Sequence, residues 1–319
     1  MGDTELSCRA LESESKVVVL IPCYNEEATI ERAVRDFKEN LPEAEIFVFD
    51  NNSTDKTAQV AKQTGATVVQ SHRQGKGNVV RHMFDEIEAD IYLMVDGDDT
   101  YPASAATSLI EALEKSRAEM VVGCRMKDFG QHSFRRFHQF GNRLVAKLIS
   151  LLFKVKVTDV LSGYRAFSRQ FVKTIPLASQ GFEIETEMTL QAAAKKFEIK
   201  EVPVKYRQRP KGSYSKLNTY SDGFLIIKSI IMIFKDYKPL VFFTACSIIL
   251  GILSIFFGIA PIQDFYTTGK VEHLPRAVLA AAVGILATLS FAIGLILDTI
   301  SKYHNENFIL WSRYLKKHG

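Results

Sequence analysis

Asp96-Gly97-Asp98 follows directly on the apolar run Ile91-Tyr92-Leu93-Met94-Val95. The run is short, apolar and closed by turn residues, which predicts a buried strand. Two carboxylates just past its C-terminal end face the crevice where open α/β sheets bind ligands. Hard oxygen ligands in that place suit Mg2+ or Mn2+, and such an ion clamps a diphosphate. An isolated D-x-D is more often a solvated acidic loop, so the surrounding chain has to decide.

Three further constellations stand at expected strand exits. Ile21-Pro22-Cys23-Tyr24-Asn25-Glu26-Glu27 carries a turn-fixing proline, and Asn25 or Glu26 could cap the next helix or hold a base or ribose. Phe49-Asp50-Asn51-Asn52-Ser53-Thr54-Asp55-Lys56-Thr57 places Asp50 to accept hydrogen bonds from a base or sugar, with Ser53 or Thr54 as a cap. Gln74-Gly75-Lys76-Gly77-Asn78 lacks the Walker A spacing and hydroxyl, but Lys76 opens a helix, where an anion is favoured. None of these is diagnostic alone, and no G-x-G-x-x-G accompanies them.

The elements that must position these groups alternate regularly. Val17–Ile21, Glu45–Phe49, Thr67–Gln70, Ile91–Val95 and Met120–Val122 read as strands. Ala28–Asn40, Lys56–Gln63, Asn78–Ile87 and Ala103–Lys115 read as amphipathic helices between them. This order predicts an α/β fold, Rossmann-like, with a mostly parallel sheet and right-handed crossovers.

Charge is distributed unevenly along the 319 residues, whose formal net charge is +4. Residues 1–124 carry 12 Lys and Arg against 23 Asp and Glu, residues 125–173 carry 11 against 2, and residues 174–319 carry 17 against 11. A compact basic stretch implies an anionic partner such as phosphates or lipid headgroups. No nucleic-acid motif is visible, so nucleic acid is not expected. Within residues 133–157, aromatic and Leu positions interleave with Arg135, Arg136, Arg143 and Lys147 at helical spacing, as in a helix lying in a membrane interface. An ordinary surface helix is the alternative.

Leu240 to Pro261 and Ala277 to Leu297 contain no charge. At about 1.5 Å per residue each can cross a hydrocarbon core of about 30 Å, so residues 240–298 are expected to form a transmembrane hairpin. Lys235, Lys238, Lys302, Arg313, Lys316 and Lys317 flank its outer ends, whereas Lys270 and Arg276 lie in the linker. The positive-inside rule puts the α/β domain and both termini in the cytoplasm. The polar segment 1–16 has no apolar signal core, and Cys8, Cys23, Cys124 and Cys246 have no metal-ligand spacing. Residues 217–239 read as a juxtamembrane helix and 299–319 as a cytoplasmic tail.

As an ordered set, P-C-Y-N-E-E, F-D-N-N-S-T-D-K-T, G-K-G-N and V-D-G-D-D-T-Y-P resemble the family 2 glycosyltransferases with the GT-A fold. The resemblance continues through Gly123-Cys124-Arg125, Asp159 to Arg165, Gly181 to Glu185 and Tyr206 to Ser213, and covers roughly residues 17–216. The C-terminal spans and the basic helix narrow the likeness to polyprenyl-phosphate glycosyltransferases. That group includes dolichyl-phosphate mannose synthases and bactoprenol glucosyltransferases.

The resemblance implies that Pro22, Tyr24, Glu26 and Asp50 contact the nucleoside, with Asn25, Asn51 and Lys76 in the same nucleotide-sugar site. It implies that Asp96 and Asp98 hold Mg2+ or Mn2+ and the diphosphate. Arg125 would meet a phosphate, with Arg135, Arg136 and Arg143 serving the lipid phosphate. Arg207 and the loop carrying Lys211 and Ser213 would close over the pyrophosphate. Asp159 and Glu185 stay open as bases or as residues that orient others. Asn51 and Asn52 replace the commoner Asp-Gly, and Thr100 stands where many lipid-phosphate members carry Gln. The implied partners are a UDP or GDP sugar, a polyprenyl phosphate and the bilayer, with room for self-association. A hydroxyl acceptor and a non-catalytic nucleotide-sugar-binding subunit are the alternatives.

Overall fold

The computed structural model describes residues 15–125, 133–207, 209, 227, 228, 231, 232 and 234–318, with side chains from 142 onward in the helix that begins at 133 and up to 311 in the last helix. Lys211, Ser213 and the side chains of Arg135 and Arg136 lie outside the described residues, as does most of the expected juxtamembrane helix. The chain divides into two compact units, Met1–Leu225 and Ile226–Gly319.

The first unit is built on β1 (Val17–Cys23), β2 (Glu45–Asp50), β3 (Thr67–Gln70), β4 (Ile91–Met94), β5 (Met120–Arg125), β6 (Arg165–Ser168) and β7 (Ile199–Val204). They form one sheet in the order β3-β2-β1-β4-β6-β5-β7. β6 runs antiparallel to both β4 and β5, and the other pairings are parallel. The mostly parallel α/β architecture read from the sequence is the one observed, while β6 and β7 are additions to it. Val18, Val19, Leu20 and Ile21 of β1 are fully buried, as expected for a strand covered on both faces. Pro22 is tolerated in this central strand because the β4 ladder stops at Leu20↔Met94, before the missing N–H would be needed.

Helices α1 (Ile30–Asn40), α2 (Thr57–Gln63), α3 (Lys76–Glu86) and α4 (Ala106–Ser116) make the crossovers. α1 shows the reason in its sequence: Ile30, Ala33, Val34 and Phe37 recur at helical spacing and are all buried. α5 (Ser133–Phe153), α6 (Arg169–Thr174) and α7 (Ile184–Ala194) follow. On α5, Val145, Ala146 and Ile149 are buried, while Arg143, Leu144, Lys147, Leu148 and Leu151 are exposed. The helix stops at Lys154, which takes a left-handed φ of 58°.

Strand order reverses between β1 and β4, so the exits of β1, β2 and β4 meet at a topological switch point. Behind it, Arg165 of β6 is fully buried. Its guanidinium donates to the Ser162 carbonyl at 2.8 Å, the Val160 carbonyl at 2.6 Å and Thr189 Oγ1 of α7 at 2.9 Å. Burial pushes its pKa down to about 10. This one side chain ties the 159–163 loop to the sheet and to α7.

The second unit contains α8 (Pro239–Thr268) and α9 (Leu274–His318), which pack against each other. Both are long and apolar enough to cross a membrane. Gly258 lies against Ala280 and Gly284 against Ser254, so small residues let the two backbones approach. The helices run past the uncharged spans, because the mixed stretch Gln263 to Thr268 is compatible with a helix. Gly269, in a left-handed conformation at φ 69°, ends α8.

Replacing Arg165 with Met would leave the Val160 and Ser162 carbonyls without their donor, at about 1–3 kcal/mol each. Thermal unfolding of the purified full chain should shift down by at least roughly 4 °C, at about 2–4 °C per kcal/mol for a domain of this size. An unchanged midpoint would contradict the role given to this side chain.

Candidate active site

The β1 and β2 exits are pinned to each other by polar groups rather than capping helices. Asn25 Oδ1 accepts from Thr54 N at 2.8 Å, and Asn25 N donates to Ser53 Oγ at 2.9 Å. Neither Asn25 nor Ser53 caps a helix, because each spends its polar atoms on the neighbouring loop. Glu26 is buried, and its amide donates to Thr57 Oγ1 at 2.8 Å. Tyr24 lies at the surface of the same turn, 37% exposed.

Asp50 is 2% exposed. Its Oδ2 accepts from Gln70 Nε2 at 3.0 Å and Ser53 N at 3.3 Å, while Oδ1 is buried with no hydrogen-bond partner among the described residues. An orphaned buried carboxylate oxygen is costly unless a ligand N–H or O–H reaches it. Asn51 differs. Its Nδ2 donates to the Ser71 and Arg73 carbonyls, and its Oδ1 accepts from Gly75 N at 2.8 Å. Its side chain holds the glycine-containing loop in place rather than standing free for a direct contact with a ligand.

That loop delivers Lys76. Gly75 has φ 120°, a conformation side chains avoid, and a Cβ there would collide with the Gln180 carbonyl. Lys76 Nζ lies 2.5 Å from Asp96 Oδ1 and pairs with Glu185 of α7. Burial works against its charge, but Asp96 and Glu185 outweigh burial and hold the ammonium above its ordinary range. Burial, with Asp96 adding, pushes Glu185 up.

Asp96 is partly exposed beside Gly163, where any Cβ would strike its carboxylate. Asp98 is buried. Its Oδ1 accepts from Thr100 Oγ1 at 2.5 Å, and its Oδ2 pairs with Arg209 at 2.5 Å. Burial, with Asp96 beside it, raises its pKa. Thr100 therefore orients Asp98. Arg207 sits elsewhere, 3.3 Å from Asp99 and 3.4 Å from Asp36. Of the two arginines in Tyr206-Arg207-Gln208-Arg209, Arg209 is the one on the D-x-D carboxylate. Period-2 spacing places both on one side of an extended segment, a signal that could have identified Arg209.

Across the site, Arg125 makes a bidentate pair with Asp159, with Nε to Oδ2 at 2.8 Å and Nη2 to Oδ1 at 2.7 Å. The Arg125 guanidinium lies over the Tyr206 ring, 5.6 Å from its centroid. Asp159 is buried, and burial opposes its charge. The Arg125 guanidinium outweighs that and holds the carboxyl below the usual carboxylate range. Asn142 of α5 adds a hydrogen bond to Asp159 Oδ1 at 3.0 Å. Tyr101, buried between the two halves, hydrogen-bonds Gly163 N at 3.1 Å and feels both Arg125 and Asp96. Pro22, Asp50, Lys76, Asp96, Asp98, Asp159 and Arg125 thus all belong to the edge of the sheet that carries the switch point. Arg143 is exposed on α5.

Asp96 and Asp98 fit a hard divalent cation by donor chemistry, and each already faces a positive charge, Lys76 or Arg209. Among the described residues no group of three or more His, Cys, Asp or Glu is placed to hold a metal. The remaining coordination would therefore come from water and diphosphate oxygens, the usual arrangement for Mg2+.

A mostly parallel α/β sheet with paired carboxylates at its switch point fits the GT-A fold, and the comparisons agree. The glycosyl transferase family 2 model matches residues 18–175. Glycosyltransferase AglJ of Haloferax volcanii is 32% identical over 294 residues, covering 91% of this chain and 95% of its own length. The chain belongs to glycosyl transferase family 2 and is a glycosyltransferase. A dolichyl-phosphate hexose transferase of the same organism is 27% identical over 68% of this chain and 93% of its length. The fold also matches crystalline glucosyl-3-phosphoglycerate synthase from Mycobacterium tuberculosis, solved with Mn2+, UDP and glucosyl-3-phosphoglycerate. That match has a TM-score of 0.56 and 22% identity, over 69% of this chain and 80% of that one.

If Asp98 anchors a divalent ion, Asp98→Asn should lose most turnover while circular dichroism and membrane retention stay at wild-type levels. Sugar-transfer assays with and without EDTA check this. Wild-type-like activity of the variant, or full activity of the wild type in EDTA, would refute the metal role.

Proposed function

We propose that this transferase moves a sugar from a nucleoside diphosphate, UDP or GDP, to a polyprenyl phosphate (undecaprenyl or dolichyl), with inversion at the anomeric carbon. The observation that carries this reading is the pairing of the carboxylates. Asp159 is held by Arg125 below the usual carboxylate range, which makes it a poor proton acceptor, and Glu185 is buried against Lys76, out of an acceptor's reach. A hydroxyl acceptor would benefit from a positioned base. A phosphate monoester, with a second pKa near 6, is largely dianionic at neutral pH and attacks without one. The relative named a dolichyl-phosphate hexose transferase supports the same acceptor class.

In this reading the open Oδ1 of Asp50 accepts a hydrogen bond from the nucleoside, and Tyr24 lines the same turn. Lys76 places positive charge where the diphosphate develops negative charge, and Arg209 leaves Asp98 as donor and cation arrive. A divalent ion on Asp96 and Asp98 would neutralise the leaving diphosphate. Arg125 steadies the acceptor phosphate. A phosphate oxygen bonds to the sugar C1, the C1–O bond to the diphosphate breaks, and its electron pair leaves with the nucleoside diphosphate. No proton changes hands.

The second unit supports membrane anchoring through α8 and α9, with the catalytic unit and both termini cytoplasmic by the distribution of Lys and Arg. α5 presents Arg143 and Lys147 beside Leu144, Leu148 and Leu151, a face suited to an anionic leaflet.

The test is transfer from a panel of radiolabelled UDP- and GDP-sugars, with Mg2+ or Mn2+, to polyprenyl phosphate and to the free polyprenol. Transfer to the phosphate and none to the alcohol is expected. Efficient glycosylation of the alcohol would replace this reading with a base-catalysed one.

A further inference from the structure

Asn142 lies on α5, the helix whose outward face carries Arg143, Leu144, Lys147, Leu148 and Leu151. Both polar ends of its amide point the other way, into the active-site loop. Nδ2 donates to Asp159 Oδ1 at 3.0 Å, and Oδ1 accepts from Val160 N at 3.0 Å. The same Asp159 oxygen receives Arg125 Nη2 at 2.7 Å. One amide therefore connects a candidate lipid-facing helix to the guanidinium assigned to the acceptor phosphate.

The rest of that loop is fixed without α5. Glu201 of β7 accepts from Thr158 N at 2.7 Å, Asp159 N at 2.9 Å and Thr158 Oγ1 at 2.7 Å. Arg165 holds the Val160 and Ser162 carbonyls. The backbone of the loop is thus anchored to the sheet; of the Asp159 carboxylate, Oδ2 also accepts from Arg125 N at the end of β5 at 3.1 Å, whereas Oδ1 is shared between the Arg125 guanidinium and α5. The other described side-chain hydrogen bond from α5 to this stretch, Ser150 Oγ to the Val157 carbonyl at 3.5 Å, is long and lies away from the carboxylate.

We propose that Asn142 is a positioning residue that couples the seating of α5 on the lipid surface to the aim of Arg125 at the acceptor phosphate. The sharing of one carboxylate oxygen gives the mechanism. A shift of α5 moves Asn142, which moves the Asp159 carboxylate, and the planar Arg125 fork follows because both its bonds end there. The device confines competent phosphate capture to enzyme whose α5 is seated, so acceptor recognition and membrane contact become one event. It rests on the lipid-phosphate reading above.

A double-mutant cycle in the full-length enzyme tests the coupling, reconstituted in vesicles containing anionic lipid. Asn142→Ala removes the joint, and Lys147→Gln with Leu148→Gln weakens the seat without touching the loop. Each change alone should raise the KM for polyprenyl phosphate about tenfold, the size of one hydrogen bond to a charged group. The KM for the nucleotide sugar should stay at its wild-type value, while the thermal midpoint of Asn142→Ala falls by only a few degrees, since Val160 N loses its acceptor. Combined, the changes should cost little more than either alone, since the second acts through a joint already lost. Additive losses, an unchanged KM in Asn142→Ala, or equal loss for both substrates with a lowered midpoint would overturn the proposal. The wild-type comparison of polyprenyl phosphate with polyprenol judges the lipid-phosphate reading separately, whatever the cycle returns.

Discussion

A carboxylate taken out of water must be matched by a cation or by hydrogen-bond donors, or give up its charge, and that requirement organises this molecule. Two strand exits, those of β2 and β4, deliver Asp50, Asp96, Asp98 and Asp99 to one edge of the sheet, and all but Asp96 are buried there. The cations come from distant parts of the chain: Lys76 on Asp96, Arg209 on Asp98, and Arg32 with Arg207 on Asp99. Glu185 joins through Lys76, and Asp159 is matched by Arg125. Removing the cation from such a pair leaves an uncompensated buried carboxylate, which is far more damaging than losing a surface pair.

The same constraint narrows the chemistry. A carboxylate bound by a guanidinium fork is a poor proton acceptor, and Asp159 is pushed further from that role by its depressed pKa. Cations that sit on carboxylates could turn to a donor diphosphate when a divalent ion takes their place, because ion and diphosphate would arrive with opposite charges. A donor that brings negative charge together with a divalent ion fits this arrangement, as does an acceptor that is already anionic.

The legible parts of the sequence were those with local periodicity. The helical spacing of Ile30, Ala33, Val34 and Phe37 and the apolar run ending at Asp96 locate α1 and β4, and through them the switch point. β6 and β7 were not read, because Arg165-Ala166-Phe167-Ser168 is too short and polar to alternate, and Ile199–Val204 contains two charges and a proline. The basic bias after residue 124 suggested an anionic partner, and part of that charge is spent inside the protein. Arg125 is taken by Asp159, and Arg165 is wholly buried. Pairings such as Lys76 with Glu185, or Asn142 with Asp159, join segments that meet only in the folded chain. Neither composition nor spacing announces them.

The central claim is that the acceptor brings its own nucleophile and the protein supplies no base. It is tested most directly by the pH dependence of kcat/KM for the lipid acceptor, measured with a polyprenyl phosphate and with a phosphonate analogue that ionises at higher pH. The account predicts an acid limb near pH 6 for the phosphate, set by its second ionisation, that moves upward with the phosphonate. A limb that stays at the same pH for both acceptors would belong to a group on the enzyme and would contradict the account.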